Sequence, residues 1–187
     1  FAPYSYERHL DFIHNVQFSP LVKYESIGQT IEGRELDFLT IGEEEENRKK
    51  IWIIARQHPG ESQVSYFMEA LINRLIDIDD PVSRTLLNQA VFYVVPFINP
   101  DGAIAGNLRA NAAGANLNRE WGTPDREKSP EVYHILKKME EKGVDMNLDI
   151  HADEGLPYNF ISSIEGIPSF DDRLRHLRVG QQPLHLG

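Results

Sequence analysis

Cysteine is missing altogether from the 187 residues. Its absence excludes a disulfide framework, a thiolate metal site and a cysteine nucleophile, so any metal here must be held by His, Asp and Glu. No apolar run approaches the ~20 residues of a membrane-spanning helix. Positive charge is also scarce. Nineteen Lys and Arg stand against 29 Asp and Glu, a net charge of −10, which argues against nucleic acid as a partner. There is no signal peptide, although the chain starts at Phe1 rather than Met, so upstream sequence is expected. What remains is an ordinary globular composition, 41% hydrophobic and 26% charged, at a length that suits one domain with a real core.

Hydrophobic spacing sets out the elements. Tyr6, His9, Leu10 and Ile13 recur at helical spacing behind Ser5, which predicts a short N-terminal helix with His9 and His14 on its surface or packing face. Residues 21–27 and 36–41 read as strands, punctuated by Gly28 and Gly33. The acidic run Glu43 to Glu46 reads as a solvated hairpin tip. Residues 51–55 form an apolar strand covered on both faces. A helix follows over 62–76, with Val64, Phe67, Met68, Leu71, Ile72 and Leu75 as its buried stripe. Asp79-Asp80-Pro81 starts a shorter helix, and 91–96 is another buried strand. Residues 97–122, rich in Asn, Gly, Ala and Arg without a clear period, read as a long ordered loop of the functional kind. Ser129-Pro130-Glu131 opens a helix that exposes His134 and stops at Gly143. A third central strand over 144–150 ends at His151, one more strand is expected over 158–163, and the chain beyond Pro168 is weakly patterned. Strands alternating with helices indicate an α/β fold with a mixed, largely parallel central sheet flanked by helices.

Two histidines, His58 and His151, stand at the ends of predicted central strands, 93 positions apart. His58 opens a Pro-Gly turn that closes on Glu61. Strand ends of α/β sheets are where sites form. Two imidazoles and one carboxylate suit zinc with a fourth position open, a known pattern for that ion. The bland reading is a His packed in a turn and a Glu favouring a helix N-terminus.

Four ordered motifs decide between them: His58-Pro59-Gly60-Glu61, Phe97-Ile98-Asn99-Pro100-Asp101-Gly102, Gly114 to Trp121, and Leu148-Asp149-Ile150-His151. Together they resemble the zinc metallocarboxypeptidase family, specifically its cytosolic-type branch, from Ile51 to about Ser163, roughly 60% of the chain. The resemblance implies Zn²⁺ bound by His58, Glu61 and His151. It implies that Arg109 polarises the scissile carbonyl and stabilises its oxyanion, and that Asn118 and Arg119 grip the terminal carboxylate of a peptide or protein substrate. Elementary chemistry agrees with those roles. A guanidinium matches a carboxylate with two parallel hydrogen bonds, and a cation beside charge that grows in the transition state lowers the barrier.

Two departures from the family pattern stand out. Asn116 occupies the position of an Asp that orients one zinc-bound histidine, and an amide oxygen can accept the imidazole N–H without a formal charge. Asp149, two residues before His151, lies on the same side of its strand and is either a partner for that histidine or merely a strand-end acid. The family's general-base glutamate has no counterpart among the 36 residues after His151. Glu154 and Glu165 read as solvated loop acids, so the chain is expected to be part of a catalytic domain spanning 1–187. Two other functions are weighed against the peptidase: a zinc amidohydrolase acting on N-acyl amino acids, and a non-catalytic module that binds zinc and protein C-termini. The cytoplasm is the expected compartment, with periplasmic export left open, and neither nucleic acid nor membrane is an expected partner.

Overall fold

The computed structural model describes residues 2–153, Gly155 and 159–161. Two compact units divide the chain, Phe1–Asp153 and Glu154–Gly187, and the elements below all belong to the first. In order they are α1 (Tyr6–Val16), β1 (Val22–Gln29), β2 (Glu35–Ile41), β3 (Lys49–Ala55), α2 (Ser62–Leu75), α3 (Pro81–Leu87), β4 (Ala90–Val95), α4 (Pro100–Ala105), α5 (Pro130–Lys142) and β5 (Met146–Ile150).

Among the described residues the strands form one mixed sheet in the order β1-β2-β4-β3-β5. β1 with β2 and β2 with β4 run antiparallel, whereas β3 lies parallel to both β4 and β5. The sheet therefore has a parallel half, and β3, inside it, carries the His58 motif at its C-terminal end. Alternation along the strands divides the core into two layers. Ile53, Ala55, Phe92 and Val94 meet Val64, Met68, Ile72 and Leu75 of α2 on one face. Trp52, Ile54, Tyr93 and Val95 meet Val132, Ile135 and Met139 of α5 on the other.

Local chemistry accounts for the helix boundaries. The Ser5 side chain accepts the Arg8 N–H at the start of α1, and Asp80 accepts from Val82 and Ser83 ahead of Pro81 in α3. α5 ends on Gly143 with φ +79°, a conformation that costs a glycine little.

Several expectations need correction. The acidic run is not a hairpin tip, because β4 lies between β2 and β3. Glu44 there accepts from the Tyr93 hydroxyl and the Lys142 ammonium, both at 2.8 Å, so it ties a crossover to the sheet and to α5. Phe67 is half exposed: at 3.6 residues per turn it sits about 90° from the centre of the α2 stripe. Residues 97–122 are not wholly irregular. Asn99 caps and Pro100 opens α4, and a 3-10 turn forms over Leu117–Arg119. His134 is half buried, its ring lying so close to Gly28 that an added Cβ would come within 2.4 Å of it. Among the described residues β5 pairs with β3. Residues 159–161 carry no regular structure, and the remainder of the strand expected over 158–163 lies outside the described residues, as do Glu154, Glu165 and everything beyond Pro168.

Candidate metal centre and active site

β3 ends at Ala55, and the chain turns at once. Arg56 takes φ +60°, a left-handed conformation uncommon outside glycine, which redirects the backbone into Gln57-His58-Pro59-Gly60-Glu61. The Arg56 side chain supports that turn from inside the protein. It is almost fully buried; its Nε and Nη2 donate to the Pro59 carbonyl at 2.9 and 2.6 Å, and its Nη1 donates to Ser65 of α2 at 2.6 Å. The Phe97 ring lies 5.0 Å from its guanidinium carbon. Burial pulls its pKa down to about 10, so it remains charged at neutral pH.

Glu61 holds the N-cap position of α2, yet its side chain makes no cap. The carboxylate turns instead to the two histidines: Oε1 lies 2.7 Å from His58 Nδ1, and Oε2 lies 3.1 Å from His151 Nδ1. Oε2 also accepts the Ala152 N–H at 3.0 Å. Burial opposes ionisation of Glu61, but the hydrogen bonds from His151, the Ala152 amide and His58 prevail and hold it below the usual carboxylate range.

The outward nitrogens are also engaged. His58 Nε2 faces Asn116 Oδ1 at 3.1 Å, and that oxygen also accepts the Asn118 N–H, which fixes the orientation of the amide. His151 Nε2 faces Asp149 Oδ2 at 2.9 Å. Asn116 and Asp149 thus each present an oxygen to the outward nitrogen of one histidine. Each ring then has an acceptor at both nitrogens, but a neutral imidazole carries one N–H. With that proton on Nε2, each Nδ1 lone pair points at a carboxylate oxygen, which is repulsive unless a positive charge lies between them. The hydrogen bonds to Asp149 and to Glu61 accordingly push the His151 pKa up to about 9. A divalent cation would meet the same demand. The candidate ligand atoms of His58, Glu61 and His151 all lie within 4.8 Å of one another, and the two ring centroids are 4.8 Å apart. Two imidazole nitrogens and a carboxylate fit zinc.

Of the other expected site residues, Arg109 lies beside this cluster. Arg109 is exposed, and its Nη1 lies 3.5 Å from His58 Nδ1. Asn118 and Arg119 sit on the 3-10 turn directly after Asn116; Arg119 is exposed and donates to the Asn118 carbonyl at 3.0 Å. Sequence reasoning missed the buried residues beneath the turn, Arg56 and Gln57. Their only signal was their place between a strand end and His58.

Residues 9–163 match the family model described as zinc carboxypeptidase. The chain belongs to the zinc carboxypeptidase family. Among solved relatives, a metallo-carboxypeptidase from Burkholderia cenocepacia is 51% identical with a TM-score of 0.80, covering 83% of this chain and 43% of its own. A metallo-carboxypeptidase from Pseudomonas aeruginosa, solved with (2-guanidinoethylmercapto)succinic acid, is 43% identical with a TM-score of 0.89, covering 95% and 47%. Mouse cytosolic carboxypeptidase 6 is 31% identical over 172 residues, 85% of this chain and 32% of the mouse protein. The chain therefore spans less than half the length of these relatives.

Proposed function

We propose that this zinc carboxypeptidase chain belongs to an enzyme that removes the C-terminal residue of peptides or proteins, with residues 1–187 forming part of its catalytic domain. The observation that carries the reading is the convergence of His58, Glu61 and His151 from two parallel strand ends onto a volume small enough for one ion. These three would hold zinc. When bound, zinc supplies Lewis acidity to a substrate carbonyl and to water.

The chain's own residues do the rest. Asn116 and Asp149 keep the Nε2 protons of the two imidazoles and so leave both Nδ1 lone pairs free for a metal ion. Arg109, beside His58, offers N–H groups where negative charge grows on the carbonyl oxygen. Asn118 and Arg119 would receive the substrate's free carboxylate, the Arg through a paired hydrogen bond that restricts cleavage to the chain end. The succinic acid derivative held by the Pseudomonas aeruginosa relative is itself a carboxylate compound, which supports a carboxylate-binding site.

The comparisons support neither an amidohydrolase acting on N-acyl amino acids nor a non-catalytic binding module. Among the described residues no helix is long and apolar enough to cross a membrane. A cytoplasmic location is the reading that the mouse relative supports.

The test pairs metal analysis with hydrolysis by the full-length protein. We expect one zinc per chain, cleavage of an N-blocked dipeptide, and loss of cleavage when the C-terminal carboxylate is amidated. Equal turnover of the amidated substrate, or preferential turnover of an N-acyl amino acid, would overturn the proposal.

A further inference from the structure

Gln57 lies between the buried Arg56 and His58 and has no solvent exposure. Its amide is used at both ends. Oε1 accepts the Trp121 indole N–H at 2.8 Å, and Nε2 donates to Asp149 Oδ2 at 2.7 Å. This orientation is unambiguous, because an indole nitrogen only donates and a carboxylate only accepts, so a flipped amide would oppose both partners. The Gln57 main-chain carbonyl is fixed as well, by Asn99 Nδ2 at 3.0 Å.

Asp149 Oδ2 is therefore shared between the Gln57 amide and His151 Nε2. The Gln57 amide is an anchor for Asp149: buried, and held at its other end by Trp121, it keeps Asp149 Oδ2 beside His151 Nε2. At the other end of the string, Trp121 follows Arg119 by two residues. One buried amide thus joins the loop expected to hold the substrate carboxylate to the metal histidine contributed by a different strand.

We infer that Gln57 is a positioning residue: through Asp149 it fixes the ring of His151 so that Nδ1 is presented to the metal, and through Trp121 it ties that ligand to the Asn118-Arg119 turn. This rests on the zinc reading above. A part confined to packing would lower the melting temperature of Gln57 variants and leave the metal's surroundings unchanged, whereas positioning alters the metal's affinity and spectrum.

The experiment measures zinc affinity by chelator competition and the visible absorption of the cobalt-substituted protein, with the melting temperature of the metal-free form as the folding control. Gln57→Leu is expected to weaken zinc by about 10- to 100-fold, the usual effect of losing an outer hydrogen-bond partner, and to shift the cobalt bands. Trp121→Phe is expected to weaken zinc by a smaller factor in the native background and to add nothing in the Gln57→Leu background, because its effect passes through the amide. Unchanged zinc affinity and cobalt spectrum in Gln57→Leu, or fully additive effects of the two substitutions, overturn the inference. If Gln57→Leu does not fold, Trp121→Phe decides alone, and native zinc affinity in it is the refuting result. Failure of the unsubstituted protein to take up zinc at all is a different outcome, and it removes the metal reading together with this one.

Discussion

Glu131 allows a quantitative check on the loop that carries the site. Its carboxyl is fully buried in the first turn of α5 and accepts long hydrogen bonds, 3.2 and 3.4 Å, from the Asn111 amide. Asn111 in turn donates to the Lys128 carbonyl and accepts from the Ala113 and Ala115 amides, so this pair anchors the segment between Arg109 and Asn116. Burial raises the Glu131 pKa from 4.5 to about 7, against the opposing pull of its own backbone amide and of Asn111.

The sign of the effect follows from which state holds the proton. Below about pH 4.5 both folded and unfolded chains are protonated, and Glu131 costs nothing. Between about 4.5 and about 7 the unfolded chain has released a proton that the folded one keeps, so stability falls as pH rises. Above about 7 the penalty is complete. At ~1.4 kcal/mol per pH unit it comes to about 3 kcal/mol. Glu131→Gln copies the protonated acid in size and hydrogen-bonding capacity. The variant should melt with the native protein near pH 4.5 and increasingly above it as pH rises, by roughly 6–12 °C at pH 8 for a chain of this length. Thermal unfolding of both proteins across pH 4.5–8 in the presence of a chelator measures it, since other titrating groups cancel in the difference. A difference that stays constant with pH would refute the assignment of the raised pKa to Glu131.

Other expectations are briefer. Gly102→Ala should lower the melting temperature sharply and disturb the Asn99 cap, because a Cβ there would meet the Ala110 carbonyl at 2.4 Å, Pro59 at 2.5 Å and Asn99 Oδ1 at 2.7 Å; a crystal structure with α4 unmoved would contradict this. Asn116→Asp puts a formal charge against His58 Nε2 and should tighten zinc by up to ~10-fold in chelator competition, with unchanged affinity the adverse result. In the metal-free protein His151 should titrate near pH 9 by NMR, so its ion pairs stabilise the fold at neutral pH and fade as pH rises through that value; titration near 6.5 would count against the pairing with Asp149 and Glu61. Ile72→Ala, in the layer between α2 and the sheet, should cost about 2–5 kcal/mol in denaturant unfolding, and a cost below 1 would mean that layer is not close-packed.

The elements that sequence alone located are those whose signals are local. Ser5 and Asp80 announce their helices because a cap needs only its neighbours, and 51–55 reads as a buried strand because both of its faces are apolar. Strand order was not legible in the same way. Nothing near Glu43–Glu46 reveals that β4 will insert between β2 and β3. The site divides along the same line. His58, Glu61 and His151 stood out as a ligand set, and Asn116 as an acceptor, because motif and chemistry single them out. Gln57 did not, since its meaning comes from Trp121 and Asp149, 64 and 92 positions away. The twist at Arg56 was equally hidden, because a positive φ at a non-glycine residue leaves no mark on the sequence around it.

That twist bears on how the centre would behave without an ion. In small zinc domains the cation is the staple, and chelation unravels the chain. Here the hairpin bend between β3 and α2 is fastened from beneath by a guanidinium lodged against a proline carbonyl, a serine and an aromatic ring. The scaffold should stand without an ion at that site, so that zinc held there could be withdrawn, replaced by cobalt or cadmium and restored, with the protein ready to be reloaded each time.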